Sequence, residues 1–112
     1  MSLTLNKTDA IRDLNDAFRR SFIGGVVLIS AGIEDLPPDR RRALLQAVRA
    51  FETFNADNDP RDEHDFGAIE LDEISAFWKV DYYNRSLTKG SPDPGEPAVT
   101  TRILTVMLAS EC

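Results

Sequence analysis

The chain has one cysteine, Cys112, and one histidine, His64. A lone thiol excludes an internal disulfide, and two soft or imidazole ligands are too few for a structural zinc site. No apolar run approaches the roughly 20 residues that a membrane-spanning helix needs; Val26-Val27-Leu28-Ile29 is far shorter. Met1 to Asp9 is mixed and polar, without the basic-then-apolar order of a secretory signal. With cysteine so scarce, the expected compartment is the cytoplasm. Positive charge is also in short supply, with 13 Lys and Arg against 19 Asp and Glu and a net charge of −6. Such a chain is not drawn to a phosphate backbone by its overall field. It has no basic helix with interleaved aromatics, so direct nucleic-acid binding is not expected. No serine sits in a nucleophile-elbow pattern, and Gly24-Gly25 lacks the spacing of a phosphate-binding loop.

What charge there is falls unevenly. Residues 1–50 carry eight basic and six acidic side chains, and residues 51–112 carry five and thirteen. An acidic half keeps a protein soluble, and it also suits a basic protein partner. The length fits one domain, residues 1–112, able to bury its own core.

Ile11, Leu14, Phe18 and Phe22 recur at spacings of three and four, the mark of one apolar helix face. Thr8 is its expected N-cap and Gly24-Gly25 its stop, with residues 1–6 frayed. Val26 to Ile29 reads as a buried strand. Leu36-Pro37-Pro38-Asp39 opens a second helix, since proline is tolerated in a first turn; Leu44, Leu45, Val48 and Phe51 form its stripe. Phe66 to Leu71 and Ile74 to Tyr83 read as two strands joined at Asp72-Glu73. Residues 85–97 hold the breaker cluster Gly90-Ser91-Pro92-Asp93-Pro94-Gly95 and read as a mobile or functional loop. A last helix is expected from Thr100 or Thr101, with Ile103, Leu104, Met107 and Leu108 on its apolar side. The order α-β-α-β-β-α gives an α+β fold, a three-stranded sheet with helices packed on one face.

The turn at Asp72-Glu73 sets a register that can be counted outward. Leu71 meets Ile74, Ile69 meets Ala76, Gly67 meets Trp78, and Asp65 meets Val80. Alternation sends Ile69, Leu71, Ile74, Trp78, Val80 and Tyr82 to one apolar face, and Gly67 leaves room for the indole. The opposite face then gathers His64, Phe66, Phe77, Lys79, Asp81 and Tyr83. A carboxylate beside an imidazole orients one ring nitrogen and suits general acid–base work. His64, Asp65, Lys79 and Asp81 are therefore the catalytic candidates. The plain alternative is a cross-strand pair worth roughly 0.2–1 kcal/mol to the sheet. Phe77 and Tyr83 are candidates for a stacking surface, against an ordinary place in the core. Arg102 is a candidate anion contact, against a salt bridge to Asp81, Asp65 or another acid.

Just before this hairpin, residues 57–65 pack five acidic side chains around His64. Asp57 and Asp59 fit the first and third positions of a helix-loop-helix calcium loop, but Arg61, Asp62 and Ala68 then stand where the fifth, sixth and twelfth ligands or glycine belong. An irregular Ca²⁺ or Mg²⁺ site on Asp57, Asp59 and Asp62 stays open beside an Asx-rich turn whose side chains bond the backbone. No other cofactor is expected.

Leu14-Asn15-Asp16-Ala17-Phe18-Arg19, Gly24-Gly25, Asn58-Asp59-Pro60, Glu63-His64-Asp65-Phe66-Gly67, Trp78-Lys79-Val80-Asp81-Tyr82-Tyr83 and the run Thr100 to Ala109 together resemble a small bacterial family of uncharacterised single-domain proteins. That family is often encoded on plasmids and integrated mobile elements. The chain departs from it at Glu111-Cys112, where the family commonly has Glu-Tyr. The resemblance implies a bacterial cytosolic protein and supplies no activity, substrate or cofactor. Two readings follow. One is a non-catalytic acidic module that binds a basic protein, a role that a mobile-element inhibitor of host defence would fill. The other is a small enzyme or a ligand- or cation-binding protein built on His64, Lys79 and Asp81.

Overall fold

The computed structural model describes residues 7–112; the expected fraying of residues 1–6 lies outside them. Helix α1 spans Lys7–Ser21 and α3 spans Pro38–Arg49, with a single-turn helix α2 at Ala31–Glu34. Strands β1 (Val26–Ile29), β2 (Phe66–Leu71), β3 (Ile74–Tyr83) and β4 (Thr101–Leu108) form one sheet in the order β1-β4-β3-β2. β4 runs parallel to β1 and antiparallel to β3, and β2 and β3 form an antiparallel hairpin. Among the described residues no helix is long and apolar enough to cross a membrane.

The α+β content holds, but the sheet has four strands where three were expected. The segment read as a last helix is β4, and it fills the central position between β1 and β3. Thr101, Ile103, Thr105 and Val106 are β-branched and fit a pleated surface. Arg102, Leu104 and Val106 alternate inward and are buried. A strand covered on both flanks gains more from ladder bonds and packing than a helix would from a short apolar stripe.

Helix ends also differ from expectation. Thr8 lies inside α1, and α1 stops at Ser21, before the glycine pair. Phe22 makes the stop by taking a left-handed φ of 60° while its N–H still reaches the Phe18 carbonyl. Gly25 serves a different purpose: a Cβ there would lie 2.8 Å from Phe18 Cζ, so only glycine lets β1 pass over that ring. α2 was not expected; Ser30 caps it by accepting from Ile33 N–H. Glu111 closes the same corner, accepting from Ser30 Oγ, Gly32 N–H and Leu108 N–H, and these donors hold its carboxyl below the usual range.

The hairpin follows the counted register, with Leu71 opposite Ile74, Ile69 opposite Ala76 and Gly67 opposite Trp78. Asp72 supplies the left-handed residue of the turn at φ 54°, a conformation Asp tolerates better than most side chains. Ile69, Ala76, Trp78, Val80, Leu104 and Val106 point into the core against Phe18 of α1, Ile33 of α2, and Leu44 and Val48 of α3. The helices cover this one side of the sheet.

The connection from β3 to β4 is stitched to its neighbours. Gly90 bridges Tyr83, Ser91 N–H reaches the Tyr82 carbonyl at 3.0 Å, and Thr100 Oγ1 donates to the Asp93 carbonyl at 2.8 Å.

Trp78 is fully buried, and its indole rests on the bare backbone of Gly67. A Cβ on Gly67 would lie 2.7 Å from Trp78 Cε2 and 2.8 Å from Phe51 Cζ. Gly67→Ala is therefore expected to destabilise the fold by about 1–3 kcal/mol through overpacking. A urea titration followed by tryptophan fluorescence measures it, and an unchanged midpoint would show that the indole has room to move.

Candidate functional site

The site grows from the inward edge of α1. Ile11 and Phe18 bury their side chains in the usual way, but Asn15 and Arg19 on the same stripe are buried too. A polar group taken out of water must find partners. Asn15 finds three: its Nδ2 donates to the Glu63 carbonyl at 3.0 Å and to Tyr82 Oη at 2.7 Å, and its Oδ1 accepts from Arg102 Nε at 2.8 Å. Tyr82 Oη in turn donates a hydrogen bond to Glu63 Oε1 at 2.9 Å. Arg102 also donates to the Pro94 carbonyl and lies over the Tyr82 ring. Burial lowers the Arg102 pKa from its ordinary value. Arg19 donates to Asp16 Oδ1 at 3.0 Å and to the Phe51 carbonyl at 2.9 Å, with its guanidinium over Phe54 and Trp78.

Asp16 links this network to the histidine. Nδ1 of His64 lies 2.9 and 3.1 Å from the two Asp16 carboxylate oxygens. Its ring stacks on Phe54 with centroids 3.7 Å apart and planes 3° from parallel. On the far side of the ring, Nε2 faces Asp59 Oδ2 at 3.6 Å. Asp59 is itself anchored, its Oδ1 accepting the backbone N–H of Glu63 and of His64 at 3.1 Å each. Asp62 is held from outside by Arg12, which donates to its Oδ2 at 2.8 Å and to its carbonyl at 3.1 Å.

The expected pairing of His64 with Asp81 does not form. Asp62 and His64 take left-handed φ values of 59° and 54°, so the chain turns just before β2 begins. The ladder itself continues to Asp65, whose carbonyl accepts from Val80 N–H at 2.8 Å. Alternation counted back from Phe66 therefore stops applying at His64, and the imidazole swings to the helix side. Asp81 stays on the uncovered side with Lys79 Nζ at 3.3 Å. Asp65, level with Val80 across the hairpin, pairs with Arg61 at 2.7 Å.

An open cleft at this end of the hairpin is lined by Arg61, Asp65, Phe66, Lys79, Asp81 and Tyr83, together with Val80 and Tyr82. Phe77 neighbours Phe66 with ring centroids 5.5 Å apart. Of the sequence candidates, Lys79, Asp81, Phe77 and Tyr83 thus share the uncovered face, Asp65 sits at the end of the hairpin beside Arg61, and His64 and Arg102 lie on the covered side. Arg102 contacts neither Asp65 nor Asp81; it is a strand residue bonded to Asn15. A second cleft holds Phe54, Asn55, Ala56, Asp59, Pro60, Asp62 and His64. Ligand atoms of Asp59, Asp62 and His64 lie within 4.8 Å of one another. Asp57 stands outside that group, in an Asx turn where its N–H donates to Asn55 Oδ1 at 2.9 Å.

Asn15, Asp16, Arg19 and Phe54 escaped the sequence reading. The signal was present in Asn15, a polar side chain four residues after Ile11 and three before Phe18, in the middle of the apolar stripe.

Burial, more than its bonds, raises the Tyr82 pKa above the ordinary tyrosine range. The unfolded chain loses this proton near pH 10 while the folded chain keeps it, so the stability it carries is intact below about pH 10 and is lost as pH rises further. Tyr82→Phe is expected to cost about 1–2 kcal/mol at neutral pH, by stranding Glu63, and to make the alkaline decline shallower. Urea melts of both chains at neutral and alkaline pH test this; parallel alkaline slopes would assign the decline to other groups.

The chain matches no curated protein and no solved structure. The span that carries α3, the acidic loop, the hairpin and β4, residues 29–111, matches the model of DUF3768, protein of unknown function, and the chain belongs to that family.

Proposed function

We propose that this protein is a non-catalytic binding module that docks a basic protein on the open face of its sheet. The observation that carries this reading is the uncovered side itself. Cross-strand pairing sets Val26 and Leu28 of β1 beside Ile103 and Thr105 of β4, Met107 beside Phe77, and Phe77 beside Ala68. Val26 and Leu28 are 42% and 48% exposed, and Phe66, Phe77, Ile103 and Met107 are half-buried. A contiguous apolar patch of this kind, rimmed by polar residues, is the usual mark of an interaction surface. Glu70 and Asp81 stand around it, on a chain segment that carries thirteen acidic against five basic side chains. Charge of one sign around an apolar centre selects a partner of the other sign and speeds its encounter.

The rival acid–base reading needs His64, Lys79 and Asp81 on one face, and the sheet stands between them. A cytoplasmic bacterial setting on a mobile element follows the resemblance noted above and makes a host regulatory or defence protein a natural partner. On this reading the carboxylates steer and the apolar centre binds.

The test compares immobilised wild-type chain with Phe77→Ser and Leu28→Asp chains, each challenged with the same bacterial lysate at low and high salt. The expected result is a basic protein retained by the wild type, released by salt, and weakened at least about tenfold by either substitution, since aromatic and aliphatic anchors dominate such interfaces. Thermal melts confirm that the variants stay folded. Equal retention by all three chains, or retention of acidic proteins only, would overturn the proposal.

A further inference from the structure

The second cleft lies on the covered side of the sheet and owes nothing to the open face. Three observations there belong together. First, Asp16 accepts from His64 Nδ1, which fixes the ring and leaves Nε2 as the nitrogen aimed at the cleft. A carboxylate behind the imidazole in this way is the usual support of a metal-ligating histidine.

Second, Asp59 is 5% exposed, and its Oδ2 lies within ion-pair range of His64. Its Oδ1 is satisfied by two backbone N–H groups, and Oδ2 is left facing His64 Nε2 at 3.6 Å. A proton shared between the two groups would draw them to about 2.8 Å. A metal ion between them, at about 2.0–2.2 Å from each, sets its ligands roughly 3.3–3.6 Å apart. The observed gap fits the ion.

Third, a further carboxylate is in reach. Asp62 brings a ligand oxygen within 4.8 Å of the other two, and its side chain is exposed. Arg12 occupies its Oδ2 and leaves Oδ1 available.

We infer that Asp59, Asp62 and His64 bind a divalent first-row transition ion, with Asp16 positioning the histidine. One imidazole nitrogen and two carboxylates suit Zn²⁺ or Mn²⁺. Ca²⁺ takes six to eight oxygens, more than the cleft offers, and Mg²⁺ makes poor use of the imidazole. This departs from the Ca²⁺ or Mg²⁺ site on Asp57, Asp59 and Asp62 that the sequence suggested, since Asp57 lies outside the ligand group and His64 takes its place.

The experiment is calorimetric titration of the full chain with Zn²⁺, in a Cys112→Ser background that removes the one thiol, alongside thermal melts. One ion per chain and a raised melting temperature are expected. Asp59→Asn keeps the Oδ1 acceptor for both backbone N–H groups while discarding the charge, and Asp62→Asn changes an exposed residue that cannot unfold the protein. Each is expected to weaken Zn²⁺ binding by at least about tenfold, and Asp16→Asn by about 10- to 100-fold, the range for groups that support a ligand. Asp57→Asn should leave binding unchanged. Binding that survives Asp59→Asn and Asp62→Asn, binding lost equally in Asp57→Asn, or no binding at all would each overturn the inference. Mg²⁺ or Ca²⁺ binding as tightly as Zn²⁺ would overturn the assignment of the ion.

Discussion

Asn15, Asp16 and Arg19 lie within five consecutive residues of α1, and between them they hold the ends of almost everything else. Asn15 takes the Glu63 carbonyl, the Tyr82 hydroxyl and the Arg102 guanidinium. Asp16 takes His64, and Arg19 takes the carbonyl of Phe51. The long connection from α3 to β2 has little secondary structure of its own, so these bonds fix it at both ends. These polar contacts are buried or part-buried, and losing one partner strands the other where it is costly to leave unpaired. The network therefore works as a unit, and α1 is best regarded as a clamp with a polar jaw.

The clamp also explains why the molecule has two distinct surfaces. Helices on one side of a sheet leave the other side to water or to a partner. On the covered side, burial concentrates charge into few, well-fixed contacts around His64. On the uncovered side, the groups are apolar or loosely paired, as Lys79 is with Asp81. The proposed ion site falls on the first, and the proposed docking surface on the second. Nothing requires the two to act together.

Much of the fold could be read from residues. The hairpin register followed from alternation and the Asp72-Glu73 turn, because a slip by one position would have exposed Trp78 and buried Lys79. The room left by Gly67 followed from the same count. β4 was misread because Ile103, Leu104, Met107 and Leu108 satisfy a helical spacing by accident within a nearly continuous apolar run. Periodicity alone cannot separate the two cases; the threonines and Val106 pointed to a strand. His64 was misplaced for a different reason. Its left-handed backbone, shared with Asp62, is set by Asp59 accepting two N–H groups at once, a local arrangement that side-chain alternation does not encode. The partners of His64 come from α1 and from Phe54, both distant in sequence, and only tertiary packing brings them near.

The central place of β4 governs the order in which the molecule can assemble. Val26 pairs with Ile103 and Ala76 with Leu108, so β1 has no strand beside it until the chain has been made through residue 108. Contacts this remote are slow to form because loop entropy is lost before they reward it. During synthesis, α1, β1 and α3 emerge with their apolar faces unsheltered, and the hairpin has nothing to lean on along its β3 edge. A ribosome paused before residue 101 would hold a chain with two unpaired strand edges, the state in which nascent proteins most need a chaperone.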